Sequence, residues 1–231
     1  MISVIVPAYN EEKNIAACLR SLLSQKFPRG EFEIIVSDSS STDNTVAVAE
    51  KLADKVIVCK KVSAGFGRNA GAKKAKGGII AFIDADSIAG KGWLSGIKQG
   101  LGEESSVALT GPFESLEKDS LLVTLFYHGW SLENRLMAAI GFPLFPGFNI
   151  AVKKKAFDAV GGFREDNMVC EDFDLSLKLR KIGKVKFSKK MFAGTSSRRM
   201  KEMGIARYAL HGLMYLLFKK KYTWANHRPD W

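Results

Sequence analysis

The sequence predicts an α/β fold with a mostly parallel central sheet and helices on both faces. Three observations predict it: short apolar runs alternate with amphipathic segments up to about residue 104, the length suits one sizeable domain, and the composition is globular. Of the 231 residues, 46% are hydrophobic and 26% are charged. These values exclude disordered and low-complexity chains, and alternating strands and helices build parallel sheets.

The first strand and helix follow from two adjacent patterns. Residues 2–6 form a continuous apolar run of the kind that a strand buried on both faces needs. Asn10 is expected to cap the next helix, with acidic Glu11 and Glu12 in its first turn. The buried stripe of that helix has helical spacing. It consists of Ile15, Cys18, Leu19, Leu22 and Leu23.

The same cycle repeats three times before residue 87. We predict strands at 32–36, 56–58 and 79–83, a helix at 46–52, and a short helix at 68–76 after a glycine-rich loop. Beyond residue 105 the alternation weakens, as in ligand-binding regions rich in loops. There we predict strands at 107–109 and 184–187 and helices at 121–137, 156–160 and 173–182.

Charge and cysteine content limit the class of protein. Residues 1–177 carry 20 basic and 22 acidic side chains, whereas residues 178–231 carry 15 and 2. A basic face of this kind meets a polyanion. No nucleic-acid-binding motif is present, so we expect anionic lipid or a pyrophosphate and no nucleic acid. Cys18, Cys59 and Cys170 form no CxxC pair, which fits a reduced, cytoplasmic chain, and residues 1–6 have no signal-peptide pattern.

Polar residues follow several predicted strands, at the edge where ligands of parallel sheets bind. Tyr9 and Asn10 come after the first strand, Asp38 after the second, and Asp84 and Asp86 after the fourth. We therefore expect these side chains to converge on one crevice.

Asp84-Ala85-Asp86 places two carboxylates on one side of an extended segment, because residues i and i+2 share a face. Such oxygen ligands suit Mg²⁺ or Mn²⁺ held together with substrate phosphates. The alternative is a solvated turn with two acids.

Glu171 and Asp172 begin a predicted helix, where acidic residues commonly serve as caps. The functional interpretation is that Asp172 is a general base for an acceptor hydroxyl, with Glu171 orienting it. Both interpretations stay open from position alone.

The segment Gly65-Phe66-Gly67-Arg68-Asn69-Ala70 imitates a dinucleotide fingerprint, which makes an NAD(P)-dependent oxidoreductase one alternative. Six residues separate its first glycine from the preceding strand, however, whereas the fingerprint opens directly. A loop that carries Arg68 towards a nucleotide is the better account. A nucleotidyltransferase is a further alternative, but it wants a glycine-rich phosphate loop after the first strand.

Residues 203–218 are apolar apart from Arg207 and His211, and Lys219-Lys220-Lys221 follows them. A helix of this kind lies in a membrane interface with its lysines at the headgroups. The alternative is a terminal helix docked on the domain.

Four motifs in order resemble the family 2 glycosyltransferases of the GT-A fold, over most of residues 1 to about 200. They are SVIVPAYNEEKNI, EIIVSDSSSTDNT, GFGRNAGAKKAKGGIIAFIDADS, and GGFRE with CEDFDLSLKLRKIG. The resemblance implies a nucleotide-binding half at 1–104, an acceptor-side half at 105–200 and a basic amphipathic tail at 201–231.

The resemblance also implies a role for individual residues. Pro7, Ala8, Tyr9 and Glu11 would line the base and ribose, Asp38 would bond the base, and Arg68 would approach ribose or phosphate. Asp84 and Asp86 would hold ribose and metal, and Asp172 would be the base of an inverting displacement.

Two departures from the family pattern matter. Ser39 stands where a second acid often follows the Asp38 position, and the QxxRW signature of processive synthases is missing. Ser196-Ser197-Arg198-Arg199 occupies the comparable region, which favours single-sugar transfer with Arg198 and Arg199 on pyrophosphate or lipid phosphate.

The expected function is sugar transfer from a nucleotide-diphosphate sugar to a saccharide, glycolipid or polyprenyl-phosphate acceptor. It would depend on Mg²⁺ or Mn²⁺ and take place peripherally at the cytoplasmic face of a membrane. A non-catalytic membrane adaptor with the same fold is the remaining alternative, but it need not retain Asp84, Asp86 and Asp172.

Overall fold

The computed structural model describes residues 1–142, 145–166 and 170–207. Its first half contains five strands and four α-helices. In chain order they are β1 (Ile2–Ala8), α1 (Ile15–Leu23), β2 (Phe32–Asp38), α2 (Thr45–Ala49), β3 (Lys55–Val58), α3 (Ala64–Ala72), β4 (Ile79–Phe82), β5 (Ser87–Ala89) and α4 (Trp93–Gly100). One 3₁₀ turn, Arg29–Glu31, precedes β2.

The second half continues with shorter strands and one long helix. In chain order it contains β6 (Ser106–Thr110), β7 (Phe113–Ser115), α5 (Leu121–Ala139), β8 (Ile150–Lys153), α6 (Lys154–Ala159), α7 (Glu171–Arg180), β9 (Lys184–Phe187), β10 (Ala193–Thr195) and α8 (Arg198–Met203).

Seven strands form the central sheet in the order β3-β2-β1-β4-β8-β6-β9. All of its neighbouring pairs are parallel except the two that β8 makes, with β4 and β6. A smaller sheet has the order β5-β10-β7. The predicted mostly parallel sheet is confirmed, and β1, β2 and β4 end at the same edge.

Two apolar layers cover the two faces of the central sheet, which confirms helices on both sides. Alternate β1 residues point to opposite faces, because side chains of a strand alternate: Val4 packs in one layer and Ile5 in the other. Helices α1, α2 and α4 supply the first layer, and α3, α6 and α7 supply the second.

The loop after β1 differs from the prediction. Asn10 does not cap a helix: α1 begins at Ile15, and Asn10 has a left-handed backbone with φ 50°. Its side-chain oxygen instead accepts a hydrogen bond from the Thr42 N–H at 2.9 Å, and its own N–H donates to Ser41 Oγ. Asn10 therefore joins the loop after β1 to the loop after β2.

The glycine-rich loop predicted before residue 68 was also wrong, because those residues lie inside α3. Ser63 caps this helix by accepting from the Phe66 N–H at 3.1 Å. The glycines let the helix lie close to its neighbours: a Cβ at Gly71 would stand 2.4 Å from Ile5 Cγ2. Without a tight turn at the glycines, the dinucleotide fingerprint is not formed.

The long apolar helix at 121–137 is confirmed as α5, but β5, β7, β8, β10, α4 and α8 were not predicted. None of the helices in the described ranges combines the length and apolarity needed to cross a bilayer. Most of the predicted helix at 203–218, and all of 208–231, lies outside the described residues.

Candidate active site

A cleft opens at the carboxyl ends of β1, β2 and β4, where the sequence placed the converging polar residues. It encloses about 380 Å³, part of it open to solvent. Its lining consists of Pro7, Ala8, Tyr9, Glu11, Ser39, Ala64, Arg68, Asp84, Ala85, Asp86 and Arg199. Most of the predicted site residues therefore share one cavity.

The guanidinium of Arg68 connects the two halves of the site. It is buried, and its Nη2 donates to Asp84 Oδ1 at 2.9 Å while its Nη1 donates to Glu171 Oε1 at 2.7 Å. Burial opposes its charge, but the carboxylates of Asp84 and Glu171 keep its pKa above the ordinary value. The acid at the end of β4 and the acid at the start of α7 thus face one cation.

Asp172 lies next to this ion pair and is held by backbone donors. Its Oδ2 accepts from the Gly147 N–H at 2.8 Å, and its Oδ1 accepts from the N–H of Phe173 at 2.9 Å. Burial, assisted by the charge of Glu171, raises the pKa of Asp172 to about 7, although Arg68 and the two N–H groups oppose the rise. A carboxylate with this pKa is suited to take a proton near neutral pH.

The carboxylates of Asp84 and Asp86 have surroundings that suit a divalent cation. Burial raises the pKa of Asp86 to about 6, with Arg199 opposing the rise and Asp84 and Glu11 adding to it. A desolvated carboxylate among other carboxylates is stabilised by a cation. In the described ranges, no three His, Cys, Asp or Glu side chains form a metal cluster. The pair fits Mg²⁺ or Mn²⁺ whose remaining ligands come from a diphosphate and water.

Arg198 and Arg199 lie on the acidic side of this cleft. Arg198 Nη2 donates to Glu11 Oε1 at 2.5 Å and lies 3.8 Å from Asp86 Oδ2. Arg199 lines the cavity and lowers the pKa of Asp86. Both arginines therefore lie near Asp86, and their predicted contact with pyrophosphate or lipid phosphate stays a prediction.

Asp38 is not among the residues that line the cleft. It is fully buried, and its two carboxylate oxygens accept hydrogen bonds from the N–H and the hydroxyl of Ser41. Ser39, which stands where the family often has an acid, lines the cleft instead. Asp38 thus shapes the loop, and its predicted bond to the base stays a prediction.

Sequence reasoning missed several residues that position the site. The Gly147 N–H holds Asp172, and a Cβ at Gly147 would stand 2.8 Å from Arg68 Nη2. Glu117 accepts from the Ser197 N–H at 2.7 Å, and Asp119 accepts from the Ser197 hydroxyl at 2.9 Å. These acids fix the segment that carries Arg198. No local pattern marks them, because their partners lie far away in the sequence.

Comparison with known proteins identifies relatives of this chain. The chain is 27% identical over 198 residues to the probable glycosyltransferase YdaM of Bacillus subtilis, covering 79% of the chain and 47% of YdaM. It is 41% identical over 90 residues to the UDP-Glc:alpha-D-GlcNAc-diphosphoundecaprenol beta-1,3-glucosyltransferase WfaP of Escherichia coli, covering 37% of the chain and 35% of WfaP. The chain thus spans less than half of the length of these relatives.

Among solved structures, TarS 1-349 of Staphylococcus aureus in complex with UDP-GlcNAc matches with a TM-score of 0.69 and 26% identity. The match covers 84% of this chain and 58% of that one, and it confirms the predicted GT-A fold. The family model for "Glycosyl transferase family 2" matches residues 3–161, which is more than half of the chain. The chain therefore belongs to glycosyl transferase family 2.

Proposed function

We propose that this chain transfers a sugar from a nucleotide-diphosphate sugar to an acceptor hydroxyl or lipid phosphate, with inversion at the anomeric carbon. The observation that carries the proposal is the Arg68 bridge between Asp84 and Glu171. It links Asp84, one of the two acids proposed to hold the metal, to Glu171 at the start of α7, next to the proposed base Asp172. A nucleotide-diphosphate site and a proton acceptor are the two parts that sugar transfer needs.

On the donor side, Pro7, Ala8, Tyr9 and Glu11 line the end of the cleft that would receive the nucleoside. Asp84 and Asp86 would hold Mg²⁺ or Mn²⁺. When bound, such a cation neutralises the charge that develops on the departing diphosphate. Arg198 and Arg199 would bind the same phosphates, since guanidinium groups donate bidentate hydrogen bonds to phosphate oxygens.

On the acceptor side, Asp172 would remove the proton of the acceptor hydroxyl as its oxygen forms the new glycosidic bond. The Gly147 and Phe173 N–H groups hold the carboxylate in place. Glu171 is held by Arg68, so it would orient the acceptor or Asp172 without acting as the base. In-line attack by the acceptor, with Asp172 as the base, would invert the anomeric carbon.

We further propose a saccharide, glycolipid or polyprenyl-phosphate acceptor met peripherally at the cytoplasmic face of a membrane. Two features support this location: residues 178–231 carry 15 basic and 2 acidic side chains, and WfaP acts on a diphosphoundecaprenol-linked sugar by its name. A basic surface gains favourable energy at anionic headgroups.

The experiment is a screen of UDP- and GDP-sugars with Mn²⁺, scored by release of the nucleotide diphosphate. Asp172→Asn should slow transfer by about 10²- to 10⁴-fold, because it removes the general base. Asp174→Asn is the matched control: Asp174 lies in the same helical turn, but its carboxylate pairs with Lys178 four residues further along α7, so this substitution should leave the rate within about twofold.

The anomeric configuration of the product, read from its proton NMR coupling constant, tests inversion. Equal rates for the Asp172→Asn and Asp174→Asn variants would remove Asp172 as the base. A product that retains the donor configuration would refute the in-line displacement.

A further inference from the structure

Helix α5 has two apolar faces, and only one of them packs on the part of the chain that the structure describes. Its inner face carries Val123, Tyr127 and Asn134, which are buried, and it packs with Phe113, Phe148 and Met200. Its outer face carries large apolar side chains with 53% to 74% of their surface exposed. This outer set, which we name the leucine ridge, is Leu121, Leu122, Leu125, Leu132, Leu136 and Ile140.

The ridge runs along one side of the helix, with His128 and Gly129 between Leu125 and Leu132. At 100° per residue, Leu121, Leu125, Leu132 and Leu136 fall within an arc of about 60°. The buried Val123, Tyr127 and Asn134 fall within about 40° on the opposite side. The 19 residues of α5 give the ridge a length of roughly 28 Å. Contiguous exposed apolar patches of this kind mark interaction sites.

Positively charged side chains near the leucine ridge indicate the kind of partner that it binds. Helix α5 contacts the edge strand β9, and the segment around that strand exposes four lysines, Lys181, Lys184, Lys189 and Lys190. On α5 itself, His128 and Arg135 are exposed along one flank of the ridge, and the acid Glu133 is exposed along the other. An apolar ridge bordered by cations is complementary to a bilayer surface, which presents acyl chains below anionic headgroups.

We propose that the leucine ridge of α5 docks this chain on an anionic lipid surface, with the leucines below the headgroups and the neighbouring cations among them. The inner face of the same helix touches the segment that carries Arg198: Tyr127 donates from its hydroxyl to the Ser196 carbonyl at 3.3 Å. Docking through α5 therefore sets the distance of the cleft from the bilayer. The proposal rests on the proposed function only for that last consequence.

The test is co-sedimentation of the full chain with vesicles of phosphatidylcholine alone or mixed with phosphatidylglycerol. We expect binding to the mixed vesicles that weakens with salt. The double variant Leu125→Gln/Leu132→Gln should bind at least about 100-fold more weakly, because burial of each leucine contributes roughly tenfold. Leu23→Gln, at an exposed leucine of α1, is the matched control and should bind like the wild type.

Two results would overturn the proposal. Unchanged vesicle binding by the double variant would show that the ridge is not the docking face, whether or not residues 203–231 bind lipid. Sedimentation velocity without lipid gives the second: a wild-type dimer that the double variant converts to a monomer would make the ridge a contact between two copies.

Donor hydrolysis in solution separates this proposal from the proposed function. The double variant should keep the wild-type hydrolysis rate, since none of the ridge leucines lines the cleft. Vesicle binding without any sugar transfer would refute the transferase and leave the docking face standing. Sugar transfer by a wild type that binds no vesicles would refute the docking face and leave the transferase standing.

Discussion

Arg68 is the residue on which the arrangement of the site depends. Its buried guanidinium is shared between Asp84 and Glu171, which come from opposite halves of the chain. Removing a partner from a buried ion pair leaves an uncompensated charge, which costs more than the pair contributes. The same guanidinium lowers the pKa of Asp172. One side chain therefore stabilises the fold and adjusts the proposed base.

Arg68→Met should lower the free energy of unfolding by about 3–5 kcal/mol, because two half-buried carboxylates lose their shared cation. Urea denaturation measures this loss. Lys73→Met, at the end of the same helix but on the surface, should change stability by less than about 0.5 kcal/mol. If Arg68→Met fails to fold, Arg68→Lys should give a smaller loss of the same sign. If Arg68→Met and Lys73→Met had equal free energies of unfolding, the Arg68 bridge would not stabilise the fold.

The pH dependence of kcat/KM should follow the ionisation of Asp172. With a pKa of about 7, activity rises as the pH increases through 7, because only the carboxylate accepts the proton. Glu171→Gln should move this limb to lower pH, since the charge of Glu171 raises the pKa of Asp172. Asp174→Asn should leave the limb in place. If the wild-type kcat/KM rose near pH 4 instead of near pH 7, the raised pKa of Asp172 would be contradicted.

The raised pKa of Asp172 also makes the free energy of unfolding depend on pH. A folded-state pKa above the unfolded value means that the folded chain holds the proton more tightly. The stability gained from this proton is fully present below about pH 3.8, the ordinary pKa of an aspartate. It is lost as the pH rises through about 7, the pKa of Asp172 in the folded chain. The proposed base therefore works in the pH range where its charge destabilises the fold.

At the scale of elements, α3 shows how glycine composition sets a packing distance. Sequence reasoning treated its glycines as a loop, because glycine disfavours helix interiors. In the fold, small residues are required there: a Cβ at Gly65 would stand 2.0 Å from the Arg164 carbonyl oxygen. The close approach of α3 to β1 brings Arg68 to Asp84.

Gly71→Ala should destabilise the fold by about 1–3 kcal/mol, because the new methyl group meets Ile5 Cγ2. Gly129→Ala is the matched control: it lies in the interior of α5 with no atom near its Cβ position. This substitution should stabilise by about 0.5–1 kcal/mol through helix propensity alone. Thermal unfolding of both variants measures the difference, and a common sign would contradict the packing account.

Three of the missed strands share a physical reason. Strands β5, β7 and β10 have three residues each, which is too short to show a period of two. They exist because β10 pairs with both β5 and β7 across the fold. The longer elements, such as α5 and β2, had enough residues for their patterns to be read correctly.

For the whole molecule, the proposed chemistry links ligand binding to stability. At a concentration of roughly 100 times Kd, UDP or GDP with Mn²⁺ should stabilise the fold by about 2.7 kcal/mol. For a chain of this size, that raises Tm by roughly 5 to 10 °C. Without a divalent cation the increase should largely vanish, because Asp84 and Asp86 then repel the diphosphate.

Asp86→Ala should abolish the difference between thermal shifts with and without metal. Asp158→Ala, at an exposed acid of α6, should preserve it. Equal shifts with and without Mn²⁺ in the wild type would count against the proposed metal site.

The sequence by itself determined the alternation of strands and helices, the family and the acids that follow β4 and begin α7, because these signals lie in residues close together in the chain. Only the tertiary structure decided that Arg68 bridges Asp84 and Glu171, that the Gly147 N–H holds Asp172, and that Glu117 and Asp119 hold the arginine segment. Contacts between distant residues depend on how helices pack on the sheet. No local pattern of residues encodes that packing.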